Sequence, residues 1–308
     1  MTKVALIIIY NHQYIKNIEI TERIYNGKFS NIYHLVPFYH GVRSNVIPVY
    51  DNSHYFQGYV AQGFKIFFKE NYEHYFFIAD DLILNPTINE KNYCEHFQLN
   101  QHTCFLPGFI TLHDRKNYWR RVGDAFRYNI KVSGVEINGQ LPEYEIALLA
   151  FEKFGLKIKP LCFDQIWEAP NSFKDWKERI ISDRSYLIRK LKSKLRNKKY
   201  NLSYPLVGSY SDIFIVSSDA IKIFCHYCGV FATTKLFVEV GLPTSLVLSA
   251  QEIITEKDLN LRGEAIWTDE QYTILDKYKN NLSSLLEDFP ENCIYIHPVK
   301  LSKWNMGV

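Results

Sequence analysis

The amino-acid sequence predicts an α/β fold with a Rossmann-like, largely parallel sheet flanked by helices. Three observations predict it. Continuous apolar runs at 4–10 and 75–79 are typical of strands buried on both faces of a parallel sheet. Between them, apolar residues recur at helical spacing over 14–25 and again over 56–67. The resulting alternation of strands and helices favours right-handed crossovers between parallel strands.

Chain-breaking residues set the bounds of the predicted elements. Asn11 and His12 interrupt the first apolar run, and Gly27 ends the first helix. The second strand ends at Pro37, and Pro48 inside the third strand predicts a short strand or one at a sheet edge. The predicted strands cover residues 4–10, 32–36, 46–50, 75–79, 213–216 and 292–296, and the predicted helices cover 14–25, 56–67, 186–199 and 221–228.

Composition excludes several classes of protein. The 308 residues are 47% apolar and 16% aromatic, which excludes intrinsic disorder. No apolar run approaches the roughly 20 residues of a membrane span, and the first run lacks the cleavage site of a signal peptide. The six cysteines are scattered, and the pair Cys225 and Cys228 lies in a helical pattern, which predicts reduced core residues of a cytosolic protein. Neither a dinucleotide-binding glycine fingerprint nor a Walker A sequence is present.

Two adjacent carboxylates, Asp80 and Asp81, end the apolar run at 75–79. In parallel sheets, ligands bind just beyond the carboxyl ends of the strands. Carboxylates at such a position are costly unless a cation or hydrogen-bond donors compensate their charge. A hard divalent ion that carries a phosphate-bearing substrate is the compensator we expect. The alternative is a turn that one of the aspartates caps.

Two later segments carry further polar side chains. Residues 208–212 combine a permissive glycine, three hydroxyls and the carboxylate of Asp212, which is the composition of a sugar-binding loop or of a tight turn. His297 ends the last predicted strand, and Lys300 follows it closely. A histidine at a strand end is usually structural, but this one comes late in a chain that needs a further metal or phosphate ligand.

Residues 173–200 form a strongly basic segment. Eleven Lys and Arg accompany three acidic residues there, a net charge of +8, so that the rest of this +3 chain carries −5. The segment has an apolar helical face, which predicts a basic amphipathic helix over about 186–199. Attachment to an anionic membrane surface, nucleic-acid binding, a solvated surface helix, and an insertion whose leucines pack on the domain are the alternatives. The lack of an aromatic stacking platform nearby argues against nucleic acid. The apolar face consists of Leu187, Ile188, Leu191 and Leu195.

The apolar strand that ends in Asp80 and Asp81, after a nucleotide-binding β/α half, resembles the metal-binding motif of GT-A-type glycosyltransferases. This similarity covers roughly residues 3 to 110. The segment from His297 to Lys300 is similar to the late His and Lys with which some retaining members complete the metal and diphosphate site. The family motif is usually Asp-x-Asp, whereas this chain has Ala79 before the aspartate pair, so either the first position is missing or the ligands follow a shifted register.

The resemblance implies a mixed GT-A-like sheet and an enzyme that moves a hexose from a UDP-sugar to a glycan or lipid-linked acceptor. UDP-galactose is the first expectation for the donor, Mn²⁺ or Mg²⁺ for the cofactor, and retention for the stereochemistry. The chain is similar in length to bacterial enzymes of O-antigen and capsular polysaccharide synthesis, which implies a cytoplasmic protein peripheral to the inner membrane. The implied roles are metal binding by Asp80, Asp81 and His297; donor binding by Tyr10, Asn11, His12, Asp80 and Lys300; catalysis by Asp212, Glu239 and Lys300; and acceptor binding by Gly208, Ser209, Tyr210 and Asp212.

Alternatives remain open at this point. In an inverting enzyme a carboxylate deprotonates the acceptor, and Glu143 and Glu145 are candidates beside Asp212 and Glu239. A sugar nucleotidyltransferase also uses paired aspartates, although a Gly-rich basic loop after the first strand is absent here. A non-catalytic module that docks on a membrane or polyanion is the third possibility. We expect a nucleotide-sugar-binding half over 1–170, the basic segment over 171–202, and the remainder of the same catalytic domain over 203–308.

Overall fold

The computed structural model describes residues 4–113, 125–166 and 173–305. The described part of the chain alternates strands and helices in its first half and returns to this pattern after the basic segment. The strands are β1 (Val4–Ile9), β2 (Ile32–Pro37), β3 (Val46–Val49), β4 (His74–Ala79), β5 (Ile83–Leu84), β6 (Thr103–Phe105), β7 (Ile110–Thr111), β8 (Val207–Gly208), β9 (Ile213–Ser217), β10 (Glu252–Ile254), β11 (Arg262–Ala265) and β12 (Cys293–His297). The helices are α1 (Ile15–Tyr25), α2 (Gln57–Phe67), α3 (Tyr93–His96), α4 (Tyr144–Lys153), α5 (Phe163–Ile166), α6 (Phe173–Ser182), α7 (Tyr186–Leu195), α8 (Ile221–Thr233), α9 (Val238–Ser249), α10 (Asp269–Asp276) and α11 (Leu282–Glu287).

The main sheet has seven strands in the order β10-β6-β9-β4-β1-β2-β3. Strands β1 to β4 are parallel to one another, as the sequence predicts, and β3 lies at the edge. Strand β9 runs antiparallel between β4 and β6, so the sheet is mixed. Strands from both halves of the chain therefore complete a single Rossmann-like sheet.

Both faces of this sheet are covered, because successive residues of a strand point to opposite faces. On one face, Ala5, Ile7 and Phe77 pack into a core that α2, α8 and α9 complete. On the other, Leu6 and Phe76 pack into a second core formed with α1, α11 and β12. This double coverage explains why β1 and β4 consist of buried residues throughout.

A second, three-stranded sheet has the order β11-β12-β5. Strand β12, which ends at His297, belongs to this second sheet rather than to the main one, because it pairs with β11 and β5. Strand β5 begins two residues after Asp81 and runs antiparallel to β12, with Leu84 opposite Tyr295. This pairing brings the end of β12 back towards the end of β4.

The basic segment forms two helices, α6 and α7, separated by a turn at 183–185 in which the Ser185 hydroxyl donates to Asp183 at 2.8 Å. Helix α7 ends at Leu195 rather than near 199 as expected. Asn197 adopts a left-handed conformation (φ 45°), and the Lys198 N–H donates to the Ser193 carbonyl, which is how helices commonly end. Within the described ranges, none of the helices has the length and apolarity that a membrane crossing requires.

Candidate active site

Three ionisable side chains meet where β4, β9 and β12 adjoin. His297 Nε2 lies 3.0 Å from Asp81 Oδ1 and 4.0 Å from Asp212 Oδ1. Backbone hydrogen bonds hold the three segments together, since the Val299 N–H donates to the Asp81 carbonyl at 2.7 Å and the Ala79 N–H to that of Asp212 at 2.8 Å. The expectation that Asp81 and His297 approach each other from distant parts of the chain is confirmed by these distances.

The electrostatics of this cluster are dominated by burial and by the two carboxylates. Burial of His297 disfavours its imidazolium, but the charges of Asp212 and Asp81 and the contact with Asp81 outweigh it, so the pKa of His297 is raised. Burial, with a further contribution from Asp81, raises the pKa of Asp212, although His297 acts in the opposite direction. The imidazolium thus provides positive charge where the carboxylates need compensation.

Some polar atoms of the cluster lack hydrogen-bond partners. Within the described residues, the buried His297 Nδ1 and Tyr210 hydroxyl make no hydrogen bond, whereas the buried Asp81 Oδ1 has the ion-pair contact with His297 Nε2 at 3.0 Å. Unpaired buried polar atoms are costly and uncommon, so a cluster of them indicates a place where a ligand supplies the missing partners. Of these atoms, the carboxylate oxygen is the ligand that Mn²⁺ and Mg²⁺ prefer, and the imidazole can join it as a ligand only in its neutral form.

No group of three or more His, Cys, Asp or Glu side chains that could hold a metal ion occurs among residues 4–113, 125–166 and 173–305. Protein side chains of this region therefore do not form a complete cage. Mg²⁺ commonly binds proteins through one or two carboxylates and takes its other ligands from substrate phosphates and water. The pair of Asp81 and His297 fits that incomplete type of site.

Asp80 has a different environment from Asp81. Its side chain is only 4% exposed, and its Oδ2 accepts a hydrogen bond from Asn17 Nδ2 at 2.8 Å. Burial first, and then the charge of Asp81, raise the pKa of Asp80 to about 7, against hydrogen bonds from Asn17 and the Asn11 backbone. These contacts make Asp80 an internal support for the loop after β1, and its expected binding of the metal or the donor ribose stays a prediction.

Glu239 lies in the first turn of α9, close to the cluster. Its backbone carbonyl accepts a hydrogen bond from the Ser209 N–H at 2.9 Å, which ties α9 to the loop before β9. Burial and the charge of Asp212 raise the pKa of Glu239 to about 8. Asp212 and Glu239 therefore form a second carboxyl pair beside His297. By contrast, Glu143 lies before α4 and lines a separate cavity of 460 Å³ with residues of the 130–144 loop.

A groove of 540 Å³ opens at the carboxyl ends of β1, β2 and β3. Asn11 and His12 line it, together with Phe38 and Asp51, as expected for a donor site after the first strand. Tyr10 does not line it and the donor-binding prediction for this residue is corrected, because its side chain is fully buried and its hydroxyl contacts Thr21 and His34. The groove adjoins the carboxylate cluster through Asn11, whose N–H binds Asp80.

The residues of the loop 208–212 differ in their distance from the cluster. Gly208 belongs to β8 and is buried, and Ser209 is buried with its hydroxyl donating to the Tyr210 carbonyl. Both have structural contacts, and their expected part in acceptor binding stays a prediction. Tyr210 and Asp212 do reach the cluster, since the Tyr210 ring lies 5.6 Å from that of His297.

Lys300 is exposed and its Nζ lies 5.7 Å from the centre of the Tyr272 ring. Its expected contact with the departing phosphate stays a prediction.

Trp267 was not among the candidates from the sequence. Its ring is 53% exposed and lies 6.0 Å from the ring of Tyr210 and 6.4 Å from that of His297. Trp267 follows β11 and precedes Thr268, which caps α10 by accepting a hydrogen bond from the Gln271 N–H. The sequence does contain a signal for this position: Thr268 and Gln271 form a helix-capping pattern directly after Trp267, which predicts a well-defined turn there.

No protein-family model matches the chain, and no curated protein sequence matches it either. The function is therefore inferred from the geometry and chemistry of the site.

Proposed function

We propose that the protein is a glycosyltransferase that moves a hexose from a nucleoside-diphosphate sugar to a glycan or lipid-linked acceptor. The observation that carries the proposal is the convergence of Asp81, Asp212 and His297 beside the groove at the ends of β1–β3. A polar groove next to a cluster of two carboxylates and one histidine suits a ligand with a nucleoside at one end and phosphate oxygens at the other. The Rossmann-like mixed sheet and the resemblance to GT-A-type enzymes support the same assignment.

The donor would lie along the carboxyl ends of the parallel strands. Asn11 and His12 present polar side chains to the groove, and the half-exposed ring of Phe38 offers a flat apolar surface for a base. Uridine is the base that we propose, with galactose as the first choice for the sugar, on the resemblance. The diphosphate would then reach from Asn11 towards Asp81.

Asp81 and His297 are the residues that would hold Mn²⁺ or Mg²⁺ together with the diphosphate. Bound there, the ion would supply positive charge that stabilises the leaving nucleoside diphosphate. Asp80 would keep the loop after β1 in place through Asn17 and Asn11. The contact between Asp81 and His297, and the buried His297 Nδ1 that has no hydrogen bond within the described residues, support this arrangement.

Asp212 and Glu239 are the groups that we propose to act on the sugar and its acceptor. A carboxylate in this position either removes the proton from the attacking acceptor hydroxyl or stabilises positive charge that develops on the sugar ring. The exposed ring of Trp267 and the edge of Tyr210 would form the acceptor side of the site. A lipid-linked acceptor would place the enzyme at the cytoplasmic face of the inner membrane.

The test is a thermal-unfolding screen of nucleotides and nucleotide sugars with and without Mn²⁺. A ligand present at 100 times its dissociation constant stabilises the folded state by about 2.7 kcal/mol. We expect UDP and UDP-hexoses to raise the unfolding temperature of the wild type, and Mn²⁺ to increase the effect. Asp81→Asn should abolish the Mn²⁺-dependent part and the release of UDP from the donor.

Asp276→Asn is the matched control, because Asp276 is an exposed carboxylate at the end of α10. It should respond to donor and Mn²⁺ as the wild type does. Undiminished stabilisation and turnover in Asp81→Asn would refute the proposed metal and diphosphate site. A wild type that responds to no nucleotide sugar would refute the glycosyltransferase assignment.

A further inference from the structure

Helix α7 turns its apolar face to solvent. At about 100° per residue, Leu187, Ile188, Leu191 and Leu195 share one side of the helix. Their exposed fractions are 46%, 57%, 60% and 78%. Single exposed leucines are ordinary on protein surfaces, but a contiguous stripe of them marks an interaction site. The surface formed by these four side chains is the exposed stripe.

The opposite side of α7 is the side that packs on the protein. Tyr186 is fully buried and its ring lies 5.5 Å from that of Phe163 and 6.0 Å from that of Trp176. Ser193 is also buried, one to two turns further along the same side. A surface helix normally buries its apolar face and exposes its polar one. In α7 this arrangement is reversed, which excludes the interpretation that its leucines pack on the domain.

Cations surround the exposed stripe. Lys192 and Lys194 lie at the two edges of the stripe, and Arg196, Lys198 and Lys199 come directly after the end of α7. Residues 173–200 carry a net charge of +8, from eleven basic and three acidic residues. An apolar stripe bordered by lysines is the pattern of a helix that lies in the plane of a membrane interface.

We propose that the exposed stripe and its bordering cations are a docking surface for an anionic lipid bilayer. The leucines would enter the boundary between headgroups and acyl chains, while the lysines and arginines contact lipid phosphates. Charge favours an anionic bilayer over a second copy of the chain, because two copies would bring together two segments that each carry a net charge of +8. A nucleic acid would satisfy the cations but would leave the leucines in water.

The experiment measures sedimentation of the full chain with vesicles of phosphatidylcholine, alone or with about 30% phosphatidylglycerol. No donor or acceptor is present, so the result is independent of the proposed enzymatic activity. We expect binding only to the anionic vesicles, and less binding as salt shortens the screening length from about 8 Å towards 3 Å. The stripe variant, Leu187→Ser with Leu191→Ser and Leu195→Ser, should bind at least about tenfold more weakly.

The matched control is Ile66→Ser with Ile223→Ser, which removes exposed apolar side chains from α2 and α8. It should bind as the wild type does. A charge variant, Lys192→Gln with Arg196→Gln and Lys199→Gln, should lose binding mainly at low salt. Unfolding midpoints equal to that of the wild type would show that each variant is folded.

Three outcomes would overturn the proposal. The first is wild-type sedimentation that does not depend on phosphatidylglycerol, or that is absent. The second is a stripe variant that binds anionic vesicles as tightly as the wild type, which would leave only a general attraction between charges. The third is a single-stranded RNA or a second copy of the chain that binds the wild type more tightly than the vesicles do.

Discussion

Burial and the neighbouring charge of Asp212 make ionisation of Glu239 costly, and Asp212 is itself largely removed from water beside His297. The pKa of Glu239 lies at about 8, so this side chain is mostly protonated at neutral pH in the ligand-free protein. If it removes the acceptor proton, transfer should accelerate as the pH rises through 8. If Asp212 does so instead, Glu239→Gln should keep most of the activity, and the wild-type rate should not depend on ionisation near pH 8.

Stability gives an independent measurement of the same group. The folded-state pKa of Glu239 is above its ordinary value of 4.5. Its contribution to the free energy of unfolding is therefore complete below pH 4.5 and is lost as the pH rises through 8. The Gln side chain of Glu239→Gln stays neutral at all pH values, so the variant does not lose this stability. We expect the free energy of unfolding of the variant, relative to the wild type, to increase between pH 5 and pH 9.

Urea unfolding at several pH values measures this difference, and Glu70→Gln is its control because Glu70 is exposed at the end of the segment after α2. The control should show a constant difference from the wild type. A constant difference for Glu239→Gln as well would mean that Glu239 is ionised in the folded protein at neutral pH.

Single residues also show where sequence reasoning reaches its limit. The pairing of Asp81 with His297 followed from two motifs at the ends of strands. The separation of Asp80 from Asp81 did not, because it depends on Asn17, a polar residue on α1 that gives no signal in the helical pattern. Likewise, Tyr10 directly follows the β1 strand, and only the contacts with Thr21 and His34 show that its hydroxyl points inward.

Among the secondary-structure elements, the short strand β5 has the largest effect on the site. It consists of two residues, Ile83 and Leu84, yet its antiparallel pairing with β12 sets where His297 lies relative to Asp81. Asn85 continues this connection, since its backbone N–H donates to the Ile294 carbonyl and its side-chain Nδ2 to that of Cys293 at 2.8 Å. The site therefore depends on an element too short to produce a periodic signal in the sequence.

Asn85→Ala tests this dependence. Asn85 is buried, and its Oδ1 also accepts hydrogen bonds from the Thr87 N–H and hydroxyl. Truncation leaves these donors and the Cys293 carbonyl without partners, which should cost about 1–3 kcal/mol in the free energy of unfolding. Because β12 is then less firmly held, donor-induced stabilisation should fall as well.

Asn89→Ala is the control for Asn85→Ala. Asn89 makes side-chain hydrogen bonds within the same loop, to Thr87 and Lys91, but none of these reaches β12. We expect a loss of stability without a loss of donor response. If Asn85→Ala binds donor as the wild type does, the link from Asn85 to β12 is not what aligns His297.

At the scale of the whole molecule, the order of strands and helices was predictable and the distribution of strands between sheets was not. The alternation of apolar runs predicts β1 to β4 and their parallel pairing, because those runs are long and continuous. It does not predict that β9 runs antiparallel into the same sheet or that β12 leaves it. Apolar runs show that a strand is buried but not to which sheet it belongs, since the second core contains strands of both sheets.

The core also contains a group that makes the whole fold sensitive to acid. His34 on β2 is fully buried, with Nδ1 3.1 Å from the Tyr10 hydroxyl and Nε2 3.7 Å from Glu22 Oε1. Burial lowers the pKa of His34 to about 4, although Glu22 acts in the opposite direction. Because this folded-state pKa is below the ordinary 6.5, the contribution of neutral His34 to the free energy of unfolding is complete above pH 6.5 and is lost as the pH falls to 4.

The difference between the ordinary pKa of His34 and its folded-state pKa corresponds to a decrease of up to about 3 kcal/mol in the free energy of unfolding between pH 6.5 and pH 4. His34→Gln cannot take up the proton, so its free energy of unfolding should rise relative to the wild type over this interval, even if it is the less stable protein at pH 7. Exposed His40→Gln serves as the control and should follow the wild type throughout. A His34→Gln curve parallel to the wild type would mean that Glu22 retains the imidazolium in the folded state, and that acid acts on the fold through its other buried groups.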